Sequence, residues 1–212
     1  MYRSIFLLLY MVLSIESASA LQSSVTKGGS FEGLEFELAK KADAIEVYTK
    51  KHPKKGFIEY RAHVELNESS IQNMLDFFAD YSQHPLWIYN CTVSRGIKKG
   101  GDAYLYQVCR SPWPYKDRDL SLSVRTEWSG ENRAMVHFSS SPSIFKKNKK
   151  QVRIDDFEST WTVEKVGEKV KVTVQARFNP KLTAGGLFLG SYAVKIPFET
   201  LKKLRQCYKA KN

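Results

Sequence analysis

Apolar and polar residues alternate along most of this chain, and the period of that alternation separates strands from helices. From Phe57 to Leu66 the residues Ile58, Tyr60, Ala62, Val64 and Leu66 interleave with Glu59, Arg61, His63 and Glu65, the two-residue period of a half-buried strand. The same period predicts strands near 90–98, 102–110, 119–128, 132–139, 151–164 and 169–178, with turns at Gly100-Gly101, Ser129-Gly130 and Val166-Gly167. The stretch 151–164 changes phase: Val152 and Ile154 are even, whereas Phe157, Trp161 and Val163 are odd, so a bulge or bend is expected near Asp155-Asp156. Helical spacing appears in three places. Leu34, Leu38, Ala42, Ile45 and Tyr48 predict a helix within 31–50, and Asn67-Glu68-Ser69-Ser70 offers N-caps for another carrying Ile71, Met74, Leu75 and Phe78. The third runs from Thr183 to Lys209, with Leu189, Tyr192, Ala193, Ile196, Leu201, Leu204 and Tyr208 along one face and a kink expected at Pro197. Gly185, Gly186 and Gly190 loosen its start. The order is helix, strand, helix, six hairpin-linked strands and a long helix. It predicts an α+β fold: one curved, mainly antiparallel sheet of about seven strands that buries one face against the terminal helix.

The N-terminus follows a different pattern. Met1-Tyr2-Arg3, the apolar run Ile5 to Ile15 and Ala18-Ser19-Ala20 read as a signal peptide cut after Ala20, followed by a polar leader at 21–30 and one domain at 31–212. Secretion, to a periplasm or outside the cell, is the expected destination. The formal net charge of +11 favours anionic surfaces such as acidic lipid, although solubility alone would also explain it; export argues against nucleic acid. A monomer is expected. Asn67-Glu68-Ser69 and Asn90-Cys91-Thr92 fit glycosylation sequons. Of the three cysteines, Cys91 and Cys109 flank a hairpin turning at Gly100, which would set them opposite each other and allow a disulfide, leaving Cys207 free.

Catalytic chemistry has little support. His52, His63, His84 and His137 lack the spacing to a Cys or carboxylate that zinc needs, so no metal and no cofactor are expected. No phosphate loop, nucleophile elbow or Cys-x-x-Cys is present. Asp117 and Asp119 flank Arg118 as an acid pair would, but read better as a structural ion-pair cluster. The distinctive stretch is Ser111-Pro112-Trp113-Pro114-Tyr115-Lys116-Asp117-Arg118-Asp119, a loop stiffened by two prolines. Trp113 is expected to pack, so that Trp113→Ala destabilises the fold.

Pro112-Trp113-Pro114 followed by Asp117-Arg118-Asp119 resembles the signature of bacterial START-like domains, the lipid-transfer domains related to steroidogenic acute regulatory protein. His84-Pro85-Leu86-Trp87 through Cys91 and the run Ile196 to Arg205 resemble the same family. The resemblance implies the helix-grip fold, a curved sheet wrapped around the C-terminal helix with an apolar cavity between them. It also implies binding of a lipid or other hydrophobic ligand, with transfer between membranes in some members. On that reading the protein is a non-enzymatic carrier. The cavity candidates are Tyr60, Tyr104, Tyr106, Phe138, Val172, Val174, Phe178, Leu189 and Tyr192, residues that an ordinary core would also use. Trp87, Trp113, Asp117, Arg118 and Asp119 form the structural motif. A gate is expected between the basic loop 139–150, where Ile144 and Phe145 would touch an anionic bilayer, and the helix start at Gly185 and Gly186. Two other readings stay open: a cavity enzyme like the related polyketide cyclases and aromatases, with His137 or a cavity carboxylate as acid–base group, and a surface protein that docks on polyanions and encloses nothing.

Overall fold

The computed structural model describes residues 36–51, 53–68, 70–182 and 189–211. The signal peptide, the leader, Gly185, Gly186 and the ends of the predicted 183–209 helix on that side therefore lie outside the described residues. Alternation holds wherever one strand face is buried. β3 (Ile58–Leu66), β4 (Cys91–Lys99), β5 (Asp102–Cys109), β6 (Arg118–Trp128), β7 (Arg133–Ser140) and β10 (Lys169–Phe178) start and stop within one residue or so of the predicted spans. Between them the phase change at 151–164 resolves into two strands. β8 (Val152–Ile154) pairs in parallel with β6, and after a bend at Asp155-Asp156, β9 (Phe157–Val166) joins β7 and β10.

The first predicted helix is instead a hairpin, β1 (Phe36–Ala42) and β2 (Ile45–Lys50). Asp43 and Ala44 both have φ of 53°, the two-residue turn whose twist suits a hairpin. Ile45 and Val47 alternate into the core, while Leu38, counted for the helical stripe, is 53% exposed. Among the described residues the sheet thus has ten strands rather than about seven, in the order β1-β2-β3-β10-β9-β7-β6-β5-β4 with β8 beside β6.

Three helices follow from local signals. α1 (Ile71–Ala79) begins at Ser70, whose Oγ accepts from the Asn73 N–H at 3.2 Å, and buries Ile71, Met74, Leu75, Phe77 and Phe78. A 3₁₀ turn (Tyr81–Gln83) leads into α2 (His84–Trp87), where Pro85 sits in the first turn and so removes no intrahelical bond. α3 (Leu189–Lys211) carries Pro197 inside it and buries Ala193, Phe198, Leu201, Leu204 and Tyr208 against β3 and β2. The core lies between the concave sheet face and these helices.

Candidate ligand cavity

At one end of that layer the sheet and helices part, leaving a mainly apolar cavity of about 180 Å³, room for roughly a dozen water-sized groups. Its walls follow strand parity. β3 contributes Ile58 and Tyr60; β5 contributes Leu105, Gln107 and Cys109; β6 contributes Leu120 and Leu122. Phe138, Phe157, Ser159, Trp161 and Phe178 continue the surface across β7, β9 and β10. Phe78, His84 and Trp87 close it from α1 and α2, and Tyr192, Ile196 and Thr200 from α3. Tyr60, Ala176, Ser159 and Phe138 are direct cross-strand neighbours, so in this row of the sheet two small side chains lie between two aromatic ones.

The inner end is aromatic. The Trp87 ring lies 5.5 Å from Phe77, 5.9 Å from Phe78, 4.8 Å from His84 and 5.6 Å from Trp161, and its N–H meets no acceptor among the described residues. His84 is buried in the same cluster. Its Nε2–H donates to the Phe78 carbonyl at 2.8 Å, and its Nδ1 accepts from Gln107 Nε2 at 2.9 Å. Burial lowers its pKa to about 4, so the ring is neutral at physiological pH. The Tyr60 phenol is pushed above its ordinary range by burial and by the nearby Cys109 thiol.

At the rim the Pro112–Asp119 signature resolves into three jobs. Asp117 Oδ1 accepts from the Ser111 N–H at 3.0 Å and closes its own loop. Arg118, buried and lining the cavity, donates to the Pro180 carbonyl at 2.9 Å, Ser111 Oγ at 3.1 Å, the Lys181 carbonyl at 3.1 Å and the Lys116 carbonyl. It thereby ties β6 to the chain that leaves β10. Asp119 pairs at 2.7 Å with Arg153 of β8, both side chains at most 1% exposed. Arg153 also holds the Pro142 and Phe145 carbonyls, at 2.7 and 3.2 Å.

Several sequence-based placements change. Tyr60, Phe138, Phe178 and Tyr192 line the cavity as expected. Val172 and Val174 are buried on the same sheet face but belong to the packed core, and Leu189 packs against that core rather than on the cavity wall. Tyr104 and Tyr106 point the opposite way. They form a separate cluster on the other sheet face with Val108, Ile144 and Phe145, where Tyr106 and Phe145 stack 5.3 Å apart. Phe145 is therefore 9% exposed and serves as the lid of that cluster, not as a membrane tip. Trp113 is 93% exposed, which overturns the expectation that it packs and stabilises the fold. His137 hydrogen-bonds Thr160 at 3.1 Å and approaches Glu127 at 3.4 Å; its neighbour Phe138 faces the cavity, so alternation turns His137 away. Cys91 and Cys109 are directly opposite in the β4–β5 register, and both are thiols here. Cys109 is held well above the ordinary thiol range by its hydrogen bond with Cys91 and by burial. His84 and Gln107 were missed as cavity residues. For Gln107 the signal that could have found it is a polar side chain on the same parity of β5 as Leu105; His84, on α2, carries no such signal.

No family model matches the chain. It is 26% identical over 173 residues to an uncharacterized protein of Pseudomonas aeruginosa, covering 81% of this chain and 85% of that one. Among solved structures it resembles the STAR-related lipid transfer protein of Xanthomonas axonopodis, at 26% identity and a TM-score of 0.75, covering 82% of this chain and 98% of that one. Human STARD10 superposes at a TM-score of 0.69 with 15% identity, over 81% of this chain and 71% of that one. A START superfamily protein of Mycobacterium smegmatis gives 0.51 at 12% identity, over 72% of this chain and 97% of that one. The resemblance read from the Pro112–Asp119 stretch thus extends over most of the chain, which has the helix-grip fold of the START-like lipid transfer proteins.

Proposed function

We propose that the protein is an exported, non-enzymatic carrier that encloses one lipid or other hydrophobic molecule and exchanges it at membrane surfaces. The observation that carries the reading is the apolar cavity between the concave sheet face and α1 to α3, on a fold shared with the Xanthomonas lipid transfer protein. The cavity groups favour binding over acid–base chemistry. His84 has both ring nitrogens engaged, and Tyr60 and Cys109 are held in their neutral forms.

The membrane contact in this reading belongs to Trp113. An indole favours the headgroup region of a bilayer, and here it projects from a loop stiffened by Pro112 and Pro114. Pro112 itself lines the cavity, so the exposed Trp113 directly follows a residue of the cavity wall. Arg110 and Lys116, both exposed, supply charge that complements anionic headgroups. Export is read from the first twenty residues, and the mature chain is expected to begin at Leu21.

Native mass spectrometry of the protein purified from its own source tests the carrier reading. One lipid of unaltered mass per chain is expected. A chain that stays empty after exposure to total lipid extract, or that returns a chemically altered ligand, contradicts it.

A further inference from the structure

We infer that the inner end of the cavity selects a neutral head group able to donate a hydrogen bond, an alcohol being the simplest, over a carboxylate or phosphate. The inference rests on the carrier reading and names the chemical class of its ligand.

The hydrogen-bond directions around His84 are set by one atom that has no choice. The Phe78 carbonyl can only accept, so the His84 Nε2 at 2.8 Å must carry the ring proton. His84 Nδ1 is then a bare lone pair, and its partner at 2.9 Å must be the Gln107 NH₂ group. That fixes the Gln107 amide the right way round and leaves Oε1 as a free acceptor. Gln107 is 5% exposed and lines the cavity, and Oε1 has no partner among the described residues. Oε1 is therefore open to the cavity, where a ligand donor can reach it. His84 itself has no proton left to offer a ligand.

A second group opens to the same cavity. Tyr60 is 7% exposed, lines the wall, and its hydroxyl has no partner among the described residues. It lies close enough to Cys109 to feel that thiol, and Cys109 follows Gln107 by two residues on the same face of β5, about 7 Å along the strand. The phenol can donate as well as accept. Gln107 Oε1 needs a donor, which an alcohol has and an ether lacks, whereas the Tyr60 hydroxyl can donate to the oxygen of either. A carboxylate also only accepts, and it would meet Gln107 Oε1 with like polarity. The described lining holds no Asp, Glu or Lys, and its two cations are Arg110 and Arg118, the latter directly opposite Cys109 in the β5–β6 register. Arg118 has four of its five N–H groups committed to protein oxygens.

The cavity supplies its own reporter. Trp87 and Trp161 line it, whereas Trp113 and Trp128, the other two of four tryptophans, are 93% and 50% exposed. In a Trp113→Phe, Trp128→Phe background, tryptophan emission is titrated with n-decanol, its isomer methyl nonyl ether, n-undecane and decanoate. Decanol is expected to bind about tenfold more tightly than the ether, with decanoate weaker than decanol. Gln107→Leu brings the alcohol-to-ether ratio close to one. Tyr60→Phe weakens both oxygenated ligands and leaves undecane unchanged, with an unaltered melting temperature because it removes an oxygen that bonds nothing. If Gln107→Leu does not fold, Gln107→Met, of similar length and without the amide, takes its place and is expected to bring the ratio close to one as well. Decanoate binding as tightly as decanol, or an alcohol preference that survives both substitutions, overturns the head-group inference while the carrier reading stands. If none of the four compounds alters the emission, the carrier reading falls and takes the inference with it.

Discussion

Asp119 and Arg153 place two full charges where water does not reach, 2.7 Å apart, and Arg153 spends its remaining reach on two loop carbonyls. Removing one partner strands the other, so Asp119→Ala is expected to cost about 3–5 kcal/mol in urea unfolding. A loss under about 1 kcal/mol would mean that the pair is solvated and that the 141–151 loop is held by other contacts. His84 gives a pH signature. Its pKa falls from 6.5 to about 4 on folding, so between those values the unfolded chain binds the extra proton and stability rises with pH. The stabilisation is complete above pH 6.5 and is lost as pH falls towards 4, by about 3 kcal/mol in all. His84→Gln should flatten that slope; a wild-type profile already flat from pH 6.5 to 4 would contradict the buried, neutral ring. Trp113→Ala should leave the melting temperature within about a degree, since an exposed side chain contributes within about 0.5 kcal/mol, and should weaken binding to anionic vesicles several-fold. Unchanged vesicle binding would remove Trp113 from the membrane contact. At this scale the charged signature was legible as structural but not as the ion-pair cluster expected, because Asp117 and Arg118 bond backbone groups and Ser111 while Asp119 pairs with Arg153 of β8. Trp113 was misread because two flanking prolines fix its backbone but say nothing about which way the ring points.

Among the elements, β5 shows where alternation stops informing. Ala103, Leu105, Gln107 and Cys109 occupy one face and Tyr104, Tyr106 and Val108 the other, and both faces are buried. Where the loop carrying Ile144 and Phe145 covers the outer face, hydrophobicity cannot say which parity faces inward. The aromatic face was the reasonable guess, and it is the wrong one. The β1–β2 hairpin was lost for a related reason: apolar residues at spacing three and four satisfied a helix, and the turn at Asp43-Ala44 has neither Gly nor Asn to announce it. α1, α3 and the bend before β9 were legible, because caps, a long amphipathic stripe and a parity break each have one structural solution. Gly96 in β4 is a test at this scale. A Cβ there would meet the Tyr81 ring at 2.0 Å, and that ring makes an edge contact with His84, centroids 5.4 Å apart. Gly96→Ala is expected to cost about 1–3 kcal/mol by denaturant unfolding and to disturb the His84–Gln107 relay. An Ala variant as stable as the parent would show that Tyr81 moves freely off the strand.

For the molecule as a whole, the sheet and α3 form a scaffold whose core is complete without a ligand, since Val64, Val163, Val172 and Leu201 are fully buried away from the cavity. The cavity can therefore fill and empty without unfolding the domain. The helix-grip outline was readable from the order of elements and the Pro112–Asp119 signature. The cavity's chemistry was not, because it depends on which of two buried faces each strand turns inward. The most direct test of the account is a crystal structure of the protein with a brominated decanol, located by the anomalous signal of bromine. The account predicts one bromine per chain between the concave sheet face and the helices, within about 4 Å of Trp161 or Leu122. Bromine found only on the outer surface, or a cavity holding ordered water under saturating ligand, would contradict it.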